Sequence, residues 1–390
     1  MEFPILTDQS SEAEDVCTTI INTKITHLVF LDHRLHPSQI ISLLIQKTQS
    51  LPNLVLHIYG DFFLNGLAWY KANNYLKKFK THFLCASSAQ TNLVKKFLKI
   101  NSQNISTIPF PVHAQFNFSE AKRDELRSIK TFKSNDFVLC YAGRISLQKN
   151  VLDVISSFAF ISELIPESKL MIAGSFDDIG IPYLSSSRLP LTMETEFFTM
   201  LKNLPENIRE KINYLGELNQ QQLSELFLSS DAYISYSTHN DEDFGMAPAE
   251  ALCCGLPLFL TRWGGFMDFK ENCNDQVELN EVRINENIIK PLPGIKRNLF
   301  NFVSKKQINN FKKNSITANN KYSIKAVSNQ IQEVLEAPQV KFQGFNSYFA
   351  NLSKIPSSKL VFRNKKNGFD AKYIELYDCY LNKGEYEASL

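Results

Sequence analysis

The chain has 390 residues, 44% of them apolar and 21% charged, so it is larger than one small module, can bury sizeable cores and lacks the composition of a disordered polymer. Its 42 Lys and Arg against 40 Asp and Glu leave a formal net charge of +2, far from the excess of a dedicated nucleic-acid binder, and no nucleic-acid partner is expected. The seven cysteines (Cys17, Cys85, Cys140, Cys253, Cys254, Cys273, Cys379) are odd in number, scattered and never spaced as C-x-x-C, which argues against a disulfide framework and against a zinc site.

The opening stretch MEFPILTDQSSEAEDV is acidic and polar where a signal peptide is basic and then apolar, and no apolar run approaches the length that crosses a bilayer. A cytoplasmic location is expected. Short runs rich in β-branched and aromatic residues then alternate with longer amphipathic stretches: THLVFLD, PSQIISLLIQKTQ, NLVLHIYGD, LAWYKANNYLKKF, THFLCAS and AQTNLVKKFLKI. Continuous apolar strands separated by helical patterns predict a parallel sheet covered on both faces. This first α/β domain is expected over residues 1–118. The charged segment SEAKRDELRSIKTFKSND carries no strand pattern and is expected to be a linker, 119–136.

The rhythm restarts with FVLCYAG, VLDVISSFAFISEL and SKLMIAG, passes a long polar insertion, and continues with INYLGEL, QQQLSELFLSS, DAYISYS, PAEALCCG and LPLFLT. That is a second and fuller parallel α/β domain, expected over 137–338. Beyond Glu271 the strand pattern fades, and YSIKAVSNQIQEVL is the clearest amphipathic helix there. Residues 339–390 form a tail that neither sheet pattern claims; packing back on the N-terminal domain is one expectation for it. Two doubly wound domains in succession make the cleft between them the expected ligand site.

The stretch Tyr236–Gly265, YSTHNDEDFGMAPAEALCCGLPLFLTRWGG, is the most informative. A strand ends in an acidic loop, a glycine turn at Gly245 leads into a helix opened by Pro248, and Gly255 stops that helix before the next strand. Proline near a helix start and glycine just past its end is the usual asymmetry. Glu242 falls in the loop and Glu250 in the first helical turn, so both can face one ligand at the carboxyl edge of the sheet. The backbone amides of Phe244, Gly245, Met246 and Ala247 sit at the positive end of the helix, where a phosphate or sugar oxygen is welcome.

E-D-F-G-M-A-P-A-E followed by A-L-x-x-G-x-P resembles the donor-site signature of glycosyltransferase family 4. The resemblance implies two Rossmann-like, doubly wound parallel-sheet domains facing each other across a cleft, the GT-B type. By the same resemblance Glu250 binds the ribose hydroxyls of a nucleotide, Glu242 contacts the donor sugar, and the Phe244–Ala247 amides hold sugar and diphosphate. FVLCYAGRISLQKNV resembles the family's G-R-x-x-x-x-K-G segment, so that, after Gly143, Arg144 and Lys149 clasp the diphosphate. Asn150 replaces the usual glycine, and Asn tolerates the left-handed backbone that the turn needs. INYLGEL resembles the segment beside the nucleotide base, which makes Gly216 and Leu218 candidate base contacts.

The first domain departs from the family pattern. It has no Gly-rich loop after its first strand, and the segment that commonly reads V-x-x-H-G-D is here VLHIYGDFF, with Tyr59 in the histidine's place, then Gly60 and Asp61. Tyr59, Asp61 and His33 are the acceptor-side candidates. Asp241-Glu242-Asp243 could be mistaken for a metal-binding D-x-D, but it precedes a helix N-terminus and comes with its own cationic clamp, so no metal and no cofactor is expected beyond the nucleotide-diphosphate sugar as donor substrate.

Charge is unevenly distributed. Between Phe62 and Ser119 there are seven lysines (71, 77, 78, 80, 95, 96, 99) and no acid, and between Asn287 and Gln332 eight lysines and Arg297, again without an acid. Trp69 and Tyr70 lie beside the first cluster, a composition suited to an anionic membrane surface, so a peripheral contact at the membrane's inner face is expected. The family 4 resemblance implies a retaining, metal-independent glycosyltransferase of hexosyltransferase type, expected to act in glycan or glycolipid assembly on a lipid-linked acceptor or on a protein or oligosaccharide. The alternative is a catalytically silent partner subunit that kept sugar-nucleotide binding.

Overall fold

A computed structural model describes residues 12–31, 38–99, 104–178, 191–285, 288–304, 310–354 and 375–381. The chain forms two compact units: the described residues up to Pro109 join those from Asn329 to Lys354, and Phe110–Ser328 joins the short segment 375–381.

In the first unit β1 (His27–Phe30), β2 (Asn53–Ile58), β3 (Thr81–Cys85) and β4 (Ile105–Thr107) make a parallel sheet in the order β1-β2-β3-β4. The helices Ser38–Lys47, Gly66–Leu76 and Ser88–Lys95 fall where the amphipathic stretches predict them. β4 is only three residues long, too short to show a pattern. The acidic opening holds a helix, Glu12–Thr23, which buries Ala13, Val16, Cys17 and Ile20 along one face. Residues 339–354 of the tail belong to this unit. Lys341 bridges Lys80, and Phe345 bridges Leu98, both antiparallel. Phe342, Phe345 and Phe349 complete an aromatic core: the Phe349 ring lies 4.8 Å from that of Phe97, and Phe62 stacks on Trp69 at 5.1 Å.

In the second unit β5 (Phe137–Ala142), β6 (Ser168–Ala173), β7 (Ile212–Tyr214), β8 (Ala232–Ser235), β9 (Leu258–Thr261) and β10 (Val277–Asn280) form a parallel sheet in the order β10-β9-β8-β5-β6-β7. The chain builds outward from β5 through β7 on one side, then returns to build β8 to β10 on the other. Strand order therefore reverses between β5 and β8, and an open α/β sheet binds ligands outside the carboxyl ends of the strands at such a switch point. A β-hairpin, β11 (Val282–Asn285) and β12 (Ile288–Pro291), follows β10. Both lie in the region where the strand pattern fades.

The expected linker 119–136 instead carries a helix, Glu120–Ile129, capped by Ser119. Its Arg127 donates to Asp231 Oδ2 at 3.0 Å and to the Ser229 carbonyl at 3.0 Å, and Arg123 reaches the same carboxylate and the Leu228 carbonyl. Two guanidiniums thus gather the last carbonyls of the helix Gln220–Ser229, where the helix dipole favours positive charge. The segment belongs to the second unit because its cations close that helix.

Candidate functional site

The loop after β5 owes its path to glycine. Gly143 has φ +151°, Gly174 after β6 has φ +140° and Gly216 after β7 has φ +69°. The Gly143 amide donates to the Ala173 carbonyl at 3.0 Å, and the Gly174 amide donates to the Gly216 carbonyl at 2.8 Å. A Cβ at Gly174 would stand 1.9 Å from the Gly143 oxygen, so no other residue lets these strand ends lie so close. Beside Gly216 the same test meets nothing within 4 Å, leaving open space at the position expected to border a base; Leu218, two residues on, is half-buried.

Asn150 does more than tolerate its turn. Its backbone is left-handed (φ 51°, ψ 37°), and its side-chain amide donates to the Tyr236 carbonyl at 2.9 Å and to Thr238 Oγ1 at 3.1 Å. With the Thr238 amide donating to the Gln148 carbonyl at 2.9 Å, the loops after β5 and β8 are stitched together across the switch point. A glycine could supply the turn but not the stitch.

Across that seam Lys149 Nζ meets Glu242 Oε2 at 2.5 Å, with the two side chains 17% and 8% exposed. Arg144 pairs with Asp177 of the loop after β6 at 2.5 Å and is itself 44% exposed. Both predicted cations are therefore at the carboxyl edge of the sheet, each already matched with a carboxylate. Asp177, in the SFDD segment after β6, is not among the residues that the sequence pattern singles out. His239 is buried beneath this edge, and its basicity is pushed well below the ordinary range by burial and by the charges of Lys149 and Arg144. The Ser146 hydroxyl and both polar atoms of the Gln148 amide are buried yet hydrogen-bond to no described residue. Orphaned buried polar groups are rare in proteins.

The acidic loop rests on Trp263-Gly264-Gly265. The Gly265 amide donates to the Glu242 carbonyl at 2.8 Å, the Trp263 indole donates to the His239 carbonyl at 2.7 Å, and a Cβ on Gly265 would come within 2.5 Å of the Phe244 Cα. Tyr380 braces this platform from the tail, its carbonyl accepting from the Gly264 amide at 2.9 Å. The two glycines after β9 are legible in the sequence as a tight turn, but nothing in the pattern says what they approach.

Gly245 (φ +100°) begins the helix Met246–Cys253. The Phe244 side chain is buried against Phe110, Phe269 and Tyr322, with centroids 5.6, 5.3 and 5.7 Å away; it anchors the turn and leaves only its backbone to a ligand. The amides of Phe244, Gly245, Met246 and Ala247 find no acceptor among the described residues, as expected of a helix start. One turn in, the half-buried Glu250 carboxylate meets no hydrogen-bond donor or cation among the described residues, and burial pushes its pKa up to about 7.

In the first unit Asp61 is buried, and its side chain accepts from the Phe63 amide at 2.8 Å, capping the short turn Phe62–Asn65. The half-buried Tyr59 ring lies 4.9 Å from that of His57, whose pKa burial lowers to about 4. His33 lies outside the described residues.

The family profile described as glycosyl transferases group 1 matches residues 122–277. The stretch 122–277 thus resembles a glycosyltransferase group 1 domain. The matched region begins inside the Glu120–Ile129 helix and ends at the start of β10, so the domain contains both loops of the switch point. Among curated relatives, the chain is 24% identical over 155 residues to mannosylfructose-phosphate synthase of Agrobacterium fabrum, covering 38% of this chain and 30% of that protein. It is 29% identical over 149 residues to N-acetyl-alpha-D-glucosaminyl L-malate synthase of Bacillus anthracis, covering 37% and 32%. The chain thus matches about a third of the length of these relatives. Likeness of fold extends further: Anabaena Alr3699/HepE, solved with UDP and glucose, superposes with a TM-score of 0.60 at 16% identity over 86% of this chain and 84% of its own. WaaG, a glycosyltransferase involved in lipopolysaccharide biosynthesis, superposes with a TM-score of 0.54 at 12% identity over 86% and 85%. Both units are thereby Rossmann-like parts of a GT-B fold, and the stretch that matches the family profile falls in the second.

Proposed function

We propose that the protein is a retaining glycosyltransferase that moves a sugar from a nucleotide diphosphate sugar to a hydroxyl acceptor. The observation that carries this reading is the meeting of Lys149 and Glu242 at 2.5 Å where strand order reverses, beside helix-start amides that have no acceptor among the described residues. In the proposed complex Glu250 accepts two ribose hydroxyls, the Met246 and Ala247 amides receive phosphate or sugar oxygens, and Glu242 faces the sugar. Arg144 and Lys149 exchange their carboxylate partners for the diphosphate. The bond from the anomeric carbon to the diphosphate oxygen breaks, a bond to the acceptor oxygen forms on the same face, and the acceptor proton passes to the departing diphosphate. Charge on that leaving group grows in the transition state, so fixed cations act there rather than in the ground state. Such a site supplies its own positive charge, and transfer is expected to proceed in EDTA. The reaction would take place in the cytoplasm, with a lipid-linked, protein or oligosaccharide acceptor.

Calorimetry with nucleoside diphosphates and their sugars tests this, starting with uridine nucleotides because UDP occupies the Anabaena structure. Glu250→Ala should weaken the donor at least about tenfold, since hydrogen bonds to a charged group contribute about 1.5–3 kcal/mol. Unchanged affinity would remove Glu250 from the site. Donor binding without any slow hydrolysis of the nucleotide sugar would identify a silent partner subunit instead, and transfer abolished by EDTA and restored by manganese would make the Asp241–Asp243 loop a metal site.

A further inference from the structure

The helix Gly66–Leu76 shows two unlike faces. Gly66, Trp69, Ala72 and Leu76 are buried, which takes Trp69 away from any membrane role and into the aromatic core. Leu67, Lys71 and Tyr75, at i, i+4 and i+8, lie on the opposite face; Leu67 is 51% and Tyr75 41% exposed, Lys71 is exposed, and exposed Lys78 follows in the next turn. Cations and apolar residues thus alternate along one solvent-facing stripe.

The tail enlarges this face. It too is acid-free, from Ala337 to Phe369, and the fold lays its described part along the flank of the same helix. Asn73 Oδ1 accepts from the Phe345 amide at 3.0 Å, Gly344 sits against the Lys77 stem, and the Lys99 amide donates to the Gly344 carbonyl at 2.9 Å. Lys354 stands 5.3 Å over the Tyr70 ring, and Tyr348 is 37% exposed. Two stretches more than two hundred residues apart in the chain are thereby joined into one basic surface. Lys71, Lys78, Lys80, Lys95, Lys99 and Lys341 pair with no carboxylate of a described residue.

We propose that this face, the outer stripe of the helix Gly66–Leu76 with the adjoining tail residues 341–354, docks on an anionic lipid bilayer, the lysines on headgroup phosphates and Leu67, Tyr75 and Tyr348 at the acyl boundary. Unneutralised cations favour any polyanion, but an exposed leucine one turn from a lysine on the same face gains only from a partner with hydrocarbon to offer. Surface potential attracts the lysines over about a Debye length, so attachment weakens with salt. Docking does not depend on the sugar-transfer reading, and the two fail separately: one is read by vesicle binding, the other by nucleotide calorimetry.

Cosedimentation of the full chain with phosphatidylcholine vesicles, with and without phosphatidylglycerol, tests it. The wild-type protein should pellet only with the anionic vesicles and be released by salt. Lys71→Glu/Lys78→Glu should lower the apparent vesicle affinity about tenfold or more. Leu67→Ser/Tyr75→Ser should lower it without any change of charge. Lys312→Glu/Lys313→Glu, an equal change of net charge in the other acid-free stretch, should leave it intact. Indifference of the wild type to phosphatidylglycerol at low salt overturns the proposal, as does equal loss in the Lys312/Lys313 variant. So does a single-stranded RNA that competes the protein off the vesicles at equal phosphate concentration. Matching melting temperatures and donor affinities among the variants confine each effect to the surface.

Discussion

Among the described strands, the two parallel sheets differ in whether strand order reverses. In the second unit strand order reverses between β5 and β8, and the loops that leave those strands meet in the Lys149–Glu242 pair. In the first unit the described strands follow chain order, β1-β2-β3-β4, and the polar residues just past β2 are used locally: Asp61 caps a turn, and the Gln90 amide donates to the Gly60 carbonyl at 2.8 Å while accepting from the Ala86 amide at 2.7 Å. A reversal opens a crevice outside the carboxyl ends of the strands, where open α/β sheets bind ligands.

The largest effect should come from cutting the pair at the reversal. Removing one partner of a buried ion pair leaves the other charge unmatched, at a cost of about 3–5 kcal/mol. Lys149→Ala should therefore lower the melting temperature steeply and cut turnover about a hundredfold or more. The double variant Lys149→Ala/Glu242→Gln should recover most of the stability, read by denaturant melts, and none of the turnover. Recovery of both would mean that the pair only holds the loops together.

Next come the glycines of the same edge. Gly174→Ala would drive a Cβ to 1.9 Å from the Gly143 carbonyl and must part the β5 and β6 loops, whereas Gly216→Ala has open space and only its positive φ to resist it. The second substitution should cost about 1–2 kcal/mol; the first should cost more and weaken donor binding along with stability. Equal melting temperatures for the two would show that the strand ends separate easily.

What the sequence made legible follows the same division. The second unit's strands β5 to β9, its helix Met246–Cys253 and the cations at 144 and 149 could be read because a strand that ends in a turn, then a helix, imposes residue types at fixed spacing. Asp177, Asn150's side-chain stitch and the support given by Trp263-Gly264-Gly265 could not, since each depends on which loops become neighbours. The helix Glu120–Ile129 was hidden by its charge: its two arginines look like a solvated face until Asp231 and five backbone carbonyls are placed beside them. In the first unit the V-x-x-H-G-D-like segment points to acceptor chemistry at Tyr59 and Asp61; the cap that Asp61 makes and the buried His57 imidazole depend on contacts that a linear pattern does not encode.

A smaller effect should appear as pH dependence of the reversal site. Glu250 is raised from 4.5 to about 7 by burial, so the folded state holds its proton more tightly than the unfolded chain. That contribution to stability is fully present below about pH 4.5 and is lost as pH rises through about 7; the ionised form, in contrast, is the better acceptor for ribose hydroxyls. Melting temperature and donor affinity should then move in opposite directions between pH 6 and 8. A nucleotide sugar is the ligand to use, since its diphosphate diester has no proton to lose in that range. Glu250→Gln should flatten both curves, and a wild-type affinity that ignores pH would take the carboxylate out of the donor contact.

The smallest effect is expected in the first unit, where it separates local structure from chemistry. If Asp61 serves only as a cap, Asp61→Ala should cost about 0.5–2 kcal/mol, and Asp61→Ser, which restores an oxygen able to accept from the Phe63 amide, should recover most of that loss. Transfer measured well below the melting temperature should be nearly unchanged in both, and donor affinity in the second unit should not move. A serine variant that melts like the wild type yet has lost turnover would give Asp61 a part in holding the acceptor. The unreversed sheet edge would then carry chemistry after all, and the contrast between the two sheets would reduce to where the donor binds.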